Sequence, residues 1–266
     1  MKGFVSTAPV LGLTLLLSSA ALAQTPASAA LQAAAPAATA HPTLEPEAVA
    51  ALERMGAYLR TLTSFAGEAD ITSEEVLPSG QKVQYTGAID MIATRPNRLR
   101  LNLDSTRKRR QYFYDGQTLT IWSPRQGYYA TLDAPPTIHE MIKTFGDRYD
   151  IVIPLADMFA FGQDPAIMAR IQSGFFVGTE AVDDQVCDHY AFRQELADWE
   201  IWIREGDQPL PCRYVITSRE DPAMPQYEAR LRWNLQPTIL ADTFTFTPPA
   251  GADRIPVQTA EAARAQ

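Results

Sequence analysis

The sequence predicts a mainly β domain with added α-helix: one strongly curved antiparallel sheet, with an N-terminal helix and a mid-chain helical cluster. Three observations predict it. About ten short segments alternate apolar and polar residues, the mark of strands with one dry and one wet face. A single segment before them carries apolar residues at helical spacing. A block between two runs of strands, residues 136–172, carries helix caps and apolar stripes in place of the alternation.

The helix is expected over residues 46–61. Pro46 suits the first helical position, and Glu47 suits the positive end of the helix dipole. Val49, Leu52, Met55, Leu59 and Leu62 make one apolar face. The period then switches to two. Phe65, Gly67, Ala69 and Ile71 face one way and Glu68, Asp70 and Thr72 the other. Pro78-Ser79-Gly80 and Arg95-Pro96-Asn97 are turns, with an alternating strand between them and another after them. Asp115-Gly116 is a hairpin signal between residues 111–114 and 118–122. Residues 128–132 complete the first half. Strands resume over 175–182, 187–193, 199–204, 213–218 and 227–235, and 243–246 is read as the last.

Within the lid, Thr137 with Glu140 is a capping box for a first helix bearing Ile138, Met141, Ile142 and Phe145. Residues 154–161 are read as a short second helix with Leu155, Met158 and Phe159. Asp164-Pro165 starts a third with Ile167, Met168 and Ile171. A sheet of this size curls or closes, and the apolar helices must bury their stripes somewhere. They are expected to cover an apolar cavity lined by Ile89, Met91, Leu101, Leu231 and Trp233 from the strands. From the lid the lining is Ile138, Met141, Ile142, Phe145, Met158 and Phe159.

The chain ends read differently. Lys2, an uncharged stretch over 4–22 and Ala21-Leu22-Ala23 form a secretory signal pattern, with cleavage expected after Ala23. Pro9, Gly12 and several hydroxyl residues argue against a spanning helix there. Residues 24–44 are an Ala/Pro-rich stretch too poor in large apolar residues to fold, hence a disordered tether. Residues 45–249 are expected to form one domain, and 250–266 a flexible tail. The expected location is the periplasm, with no transmembrane segment in the mature chain. The formal net charge is −8, and −9 once Lys2 is removed, so nucleic acid is a poor partner.

Cys187 and Cys212 form the cysteine complement. Both sit near strand starts, with one strand between them in sequence. A bridge is possible only where that strand has ended, around Arg204; the other reading is two free buried thiols. Trp199 and Trp202 fall on opposite faces of one strand, so one of them faces outward.

No constellation for chemistry stands out. There is no Gly-x-Ser-x-Gly elbow, His-Glu-x-x-His pair or phosphate-binding Gly-rich loop. His41 lies in the tether and His139 in the first lid turn. His189 alternates away from Asp188, and with Cys187 makes too few ligands for zinc. No catalytic residue, metal site or cofactor is expected. The run from Arg107 to Arg110 reads either as a contact for anionic headgroups or an acidic partner, or as a solvated turn.

Two resemblances add to this reading. Arg95-Pro96-Asn97, and Asp115-Gly116 followed by Leu119, Trp122 and Pro124, resemble the periplasmic lipoprotein carrier LolA and its relatives over residues 49–132. That likeness implies an open half-barrel with a helical lid over an apolar cavity. It also implies that Arg95 fastens the lid by hydrogen bonds to helix backbone; as a bare sequence feature Arg95 is equally a turn arginine. The lid region, 136–172, is longer than in the carriers. Segments 111–132, 187–193, 199–203 and 244–249 are similar to a family of predicted periplasmic proteins, domain of unknown function 2092, with the same inferred fold. The expected function is a carrier that holds an acyl chain, lipid or acylated protein. The alternative is an envelope sensor that signals through a protein partner. An enzyme is the least expected reading.

Overall fold

The computed structural model describes residues 43–264 except 152, 154–155, 160 and 162–163. The signal segment, nearly all of the tether, His41 and Leu155 lie outside the described residues.

Helix α1 (Pro46–Thr61) begins with proline in its first turn and an acidic residue beside it. Ala48, Ala51, Leu52, Met55 and Leu59 are almost wholly buried along one face. Burying each large side chain contributes roughly 1.5–3 kcal/mol, which holds a helix that propensity alone would leave marginal. After Leu62 the backbone turns extended and the sheet begins.

The strands are β1 (Ser64–Val76), β2 (Lys82–Thr94), β3 (Arg98–Ser105), β4 (Arg109–Tyr114), β5 (Thr118–Ser123) and β6 (Tyr128–Asp133) in the first half. The second half holds β7 (Ser173–Val182), β8 (Gln185–Arg193), β9 (Ala197–Arg204), β10 (Pro211–Ser218) and β11 (Gln226–Asn234). A two-residue β12 (Asp253–Arg254) follows near the end. They form one open sheet in the order β12-β6-β5-β4-β3-β2-β1-β11-β10-β9-β8-β7. Two antiparallel meanders meet where β1 pairs with β11, Ala69 opposite Leu231.

One face of nearly every strand feeds a single apolar cluster with α1, so the sheet wraps around its own dry side. Phe65, Ala69, Ile89, Leu101, Tyr114, Leu119, Tyr190, Trp199, Ile201 and Ala229 all belong to it. Gly116, at φ 93°, supplies the left-handed conformation that the β4–β5 hairpin turn requires.

Between β6 and β7 the chain crosses the concavity. Helix α2 (Ile138–Tyr149) is capped as expected: Thr137 Oγ1 accepts from the Glu140 amide at 3.2 Å. Asp150 ends it in the left-handed region, its amide bonded to Gly146 O. A single 3₁₀ turn, Ala156–Phe159, stands in the stretch read as a second helix. Helix α3 (Pro165–Ala169) starts on Asp164, whose Oδ1 accepts from the Ala166 amide at 2.9 Å.

Two expectations near the C-terminus are corrected. Residues 243–246 are not a strand. Consecutive turns, Thr243 N to Leu240 O and Thr245 N to Asp242 O, bend the chain there. The alternating Thr-Phe-Thr-Phe pattern instead plants Phe244 and Phe246 on the outer face. Phe246 packs among Phe113, Trp122 and Tyr129 at ring separations of 5.2–5.9 Å. The stretch expected to be a flexible tail, 250–266, contains ordered pairing. Asp253 N donates to Gly127 O and Ile255 N to Tyr129 O, making β12 parallel to β6, and α4 (Ala260–Arg264) follows. The outer-face aromatic cluster anchors the strap that delivers β12 to that edge.

Candidate ligand-binding site

The lid is held against α1 at one close contact. Arg60 Nη1 donates to the Phe161 carbonyl at 2.9 Å. The same carbonyl lies where a Cβ on Gly56 would stand, 2.0 Å away, so the approach requires glycine. Arg95 follows a different geometry from the one its resemblance implied. Its Nη2 donates to Leu59 O at the end of α1, at 3.4 Å, and its guanidinium lies 5.8 Å from the Phe159 ring. Its Nε is buried without a partner among the described residues. The backbone of the same turn does reach the lid: Pro96 O accepts from Ile138 N at 2.8 Å. Burial, with Arg60 nearby, lowers the Arg95 pKa. The hydrogen bond from an arginine side chain to lid backbone is therefore made by Arg60, which sequence reasoning missed. Its place in the last turn of α1 hid it as an ordinary helix-end cation.

The lid side chains fill much of the concavity. Met141, Phe145 and Met158 are fully buried, while Ile138, Ile142 and Phe159 pack against the same cluster. Phe159 stacks on Phe65 at 5.5 Å and meets Trp233 edge-on at 6.3 Å. Beneath Met158, a gap bounded by Ile89, Met91, Leu101, Leu231 and Trp233 is only about 10 Å³, at most the space of one water. Met91, Leu101, Leu231 and Trp233 border this filled gap and not the larger cavity.

That cavity lies beside the gap, toward the far ends of β1–β3, β10 and β11, and measures about 400 Å³. This is within the roughly 300–1,000 Å³ of small-molecule sites. Ile89 and Met158 border both spaces. Ile71, Leu103, Ile153, Tyr214, Ile216 and Tyr227 complete the apolar wall, and Ser73, Thr86, Ser105, Arg107 and Lys108 stand among the lining. The register explains the grouping: Tyr227 is opposite Ser73 on one side and Ile216 on the other. Strand alternation pointed to this face, but only the cross-strand register selects which of its residues line the open part. Burial raises the Tyr227 pKa to about 12, and its hydroxyl has no hydrogen-bond partner among the described residues. Two other hollows, about 370 and 280 Å³, carry more polar linings, Asp90, Asn102 and Arg109 in one and Thr120, Thr131 and Arg254 in the other.

The second small cluster sits on the outer face. Cys187 and Cys212 are bridged, their Cα atoms 6.9 Å apart. Cys187 is opposite Arg204, the last residue of β9, so the bridge passes the end of that strand. Trp202 is the outward tryptophan, yet it is buried: it stacks on His189 at 3.9 Å, lies 4.5 Å from the Arg213 guanidinium and donates to Glu180. Trp199 faces the core, between Phe192 and Phe161. His189 meets two carboxylates, Glu200 at 2.8 Å and Glu180 at 3.5 Å, through different ring nitrogens. Those carboxylates come from the neighbouring strands; Asp188 accepts instead from Thr179. Cys187, spent in the bridge, is no metal ligand, and no group of three metal-binding side chains occurs among the described residues.

The family model described as "Predicted periplasmic protein (DUF2092)" matches residues 48–258. The chain belongs to this family. No curated protein matches the sequence. Among solved structures, the Mycobacterium tuberculosis lipoprotein LppX is similar at 11% identity, covering 73% of this chain and 98% of that one, with a TM-score of 0.45. MucB in the Pseudomonas aeruginosa MucA/MucB complex shares 15% identity over 76% of this chain and 61% of its own, TM-score 0.40. A LolA superfamily protein from Nitrosomonas europaea shares 9% over 75% and 97%, TM-score 0.35. Among the described residues no helix is long and apolar enough to cross a membrane.

Proposed function

We propose that the protein is a periplasmic binding protein that holds an apolar ligand, such as an acyl chain, in the cavity of about 400 Å³ beside the lid. The supporting observation is the contrast between two neighbouring spaces. Under Met158 the lid packs tight, while beside it Ile71, Ile89, Leu103, Ile153, Ile216 and Met158 border a space that no side chain of the described residues fills. A folded protein gains by filling such space, so an apolar wall left open on the concave side is best explained by an occupant. Cleavage after Ala23 would deliver the chain to the compartment where such a ligand is met.

Native mass spectrometry of the full chain, purified from its own periplasm, tests this. The expected spectrum contains a co-purified apolar species. Ile216→Trp, which fills the cavity from a half-buried position, should remove that species without unfolding the protein. A chain that carries no ligand and takes up no dodecyl-chain probe overturns the reading.

One observation favours the alternative of a sensor acting through a protein partner. Strand β7 ends the sheet and leaves Phe175, Phe176 and Val177 exposed. Cross-linking in the periplasm tests it: a partner captured by the native chain and lost in Val177→Lys supports it, and no partner in either rejects it.

A further inference from the structure

The cavity's mouth carries charge that its walls do not use. Arg107 and Lys108, in the turn between β3 and β4, both stand in its lining. Their situations differ. Arg107 pairs with Glu75 and lies 5.1 Å from the Tyr85 ring, so its charge is already answered. Lys108 has no carboxylate partner among the described residues; its backbone alone is fixed, the amide donating to Ser105 Oγ at 3.0 Å and the carbonyl accepting from the Ser105 amide at 2.8 Å. Its side chain is exposed at the rim, where partial desolvation by the neighbouring wall, with Arg110 nearby, lowers the Lys108 pKa. An ammonium at the rim of an apolar cavity, with no carboxylate of its own, is free to pair with an arriving anion. In the same lining, the Tyr227 hydroxyl is buried without a partner among the described residues. A buried hydroxyl left unbonded costs free energy that a ligand oxygen would recover.

Resting on the binding function above, we propose that the ligand is an anionic amphiphile. Its head, a carboxylate or phosphate, pairs with Lys108 at the mouth; an oxygen near the head accepts from Tyr227, and its chain runs along Ile153 and Met158. The cavity then reads as a site with polarity along its length: one unanswered cation at the opening, one unanswered donor on the wall and apolar surface beyond.

The test compares three probes of equal chain length on the full native protein by titration calorimetry: dodecanoate, dodecyl phosphate and 1-dodecanol. The expected result is that at least one of the two anions binds about tenfold tighter than the alcohol, the scale of one charge-assisted contact. Lys108→Gln should remove that advantage and leave the alcohol's affinity unchanged. Tyr227→Phe should weaken the anions and the alcohol alike. Which anion prevails separates a carboxylate head from a phosphate head. If the alcohol binds as tightly as both anions, or Lys108→Gln changes nothing, the charge assignment fails while the apolar cavity stands. If none of the three binds, the function itself fails.

Discussion

Arg60 and Phe161 join the N-terminal helix to the lid through one hydrogen bond, guanidinium to carbonyl at 2.9 Å, over a separation of 101 residues. That bond depends on Gly56 next to it, because a Cβ there would meet the same carbonyl at 2.0 Å. Helix and lid are in contact at backbone distance, with no side chain between them.

Gly56→Ala should therefore destabilise the fold although alanine is the better helix former. Forcing a methyl into this contact is expected to cost about 1–3 kcal/mol, outweighing the ~1 kcal/mol of helix propensity gained. Urea denaturation measures the difference. An unchanged or higher midpoint would mean that the carbonyl is not held where the structure puts it.

Arg60→Met keeps the aliphatic stem and removes the donor. The Phe161 carbonyl loses its partner, so about 1–2 kcal/mol is expected, concentrated in the lid. Hydrogen exchange should rise over 156–170 while the strands stay protected. Uniform loosening of the sheet would contradict this.

Cleaving the Cys187–Cys212 bridge should lower stability without touching the cavity. The sequence separation of 25 residues corresponds to about 3.5 kcal/mol in the chain-entropy view. Denaturation with and without reductant, alongside binding of a dodecyl-chain probe, checks both halves. Loss of binding in protein that remains folded would show that the outer cluster governs the concave side.

Asp198 gives a pH dependence. The hydrogen-bonded Arg193 guanidinium, with Arg219 nearby, holds its carboxyl below the usual aspartate range. A carboxylate whose folded pKa is depressed contributes stability above the unfolded pKa and loses it as pH falls through the folded value. Asp198→Asn should thus be less stable than the native chain near neutrality by under about 1 kcal/mol, since the pair is solvent-screened. The gap should close on acidification below about pH 4. Urea midpoints from pH 2 to 7 measure it, and a gap constant with pH would refute the assignment.

Much of the architecture was legible because its physics is local. The alternation at Phe65, Ala69 and Ile71 fixes which face of β1 is dry, and the register to Leu231 and Ile89 follows from burying that face. The Thr137 and Asp164 caps mark their helices directly. The disulfide was legible as one of two readings, because strand direction alone places it at the end of β9. What escaped depends on long-range packing. Thr243–Phe246 alternates like a strand, yet its chain bends through consecutive turns and Phe246 packs against Phe113 and Trp122 instead. Met91, Leu101, Leu231 and Trp233 border the gap under Met158, and how closely Met158 and Phe159 fill the space above them is a question of volume. No period in the sequence encodes volume.

The covering segment leaves the sheet at β6, beside one rim, and re-enters it at β7, the opposite rim. It is a crosspiece spliced covalently at both ends. Curvature and coverage are thereby tied together: any change in the distance between the two rims would have to be taken up by the segment that joins β6 to β7.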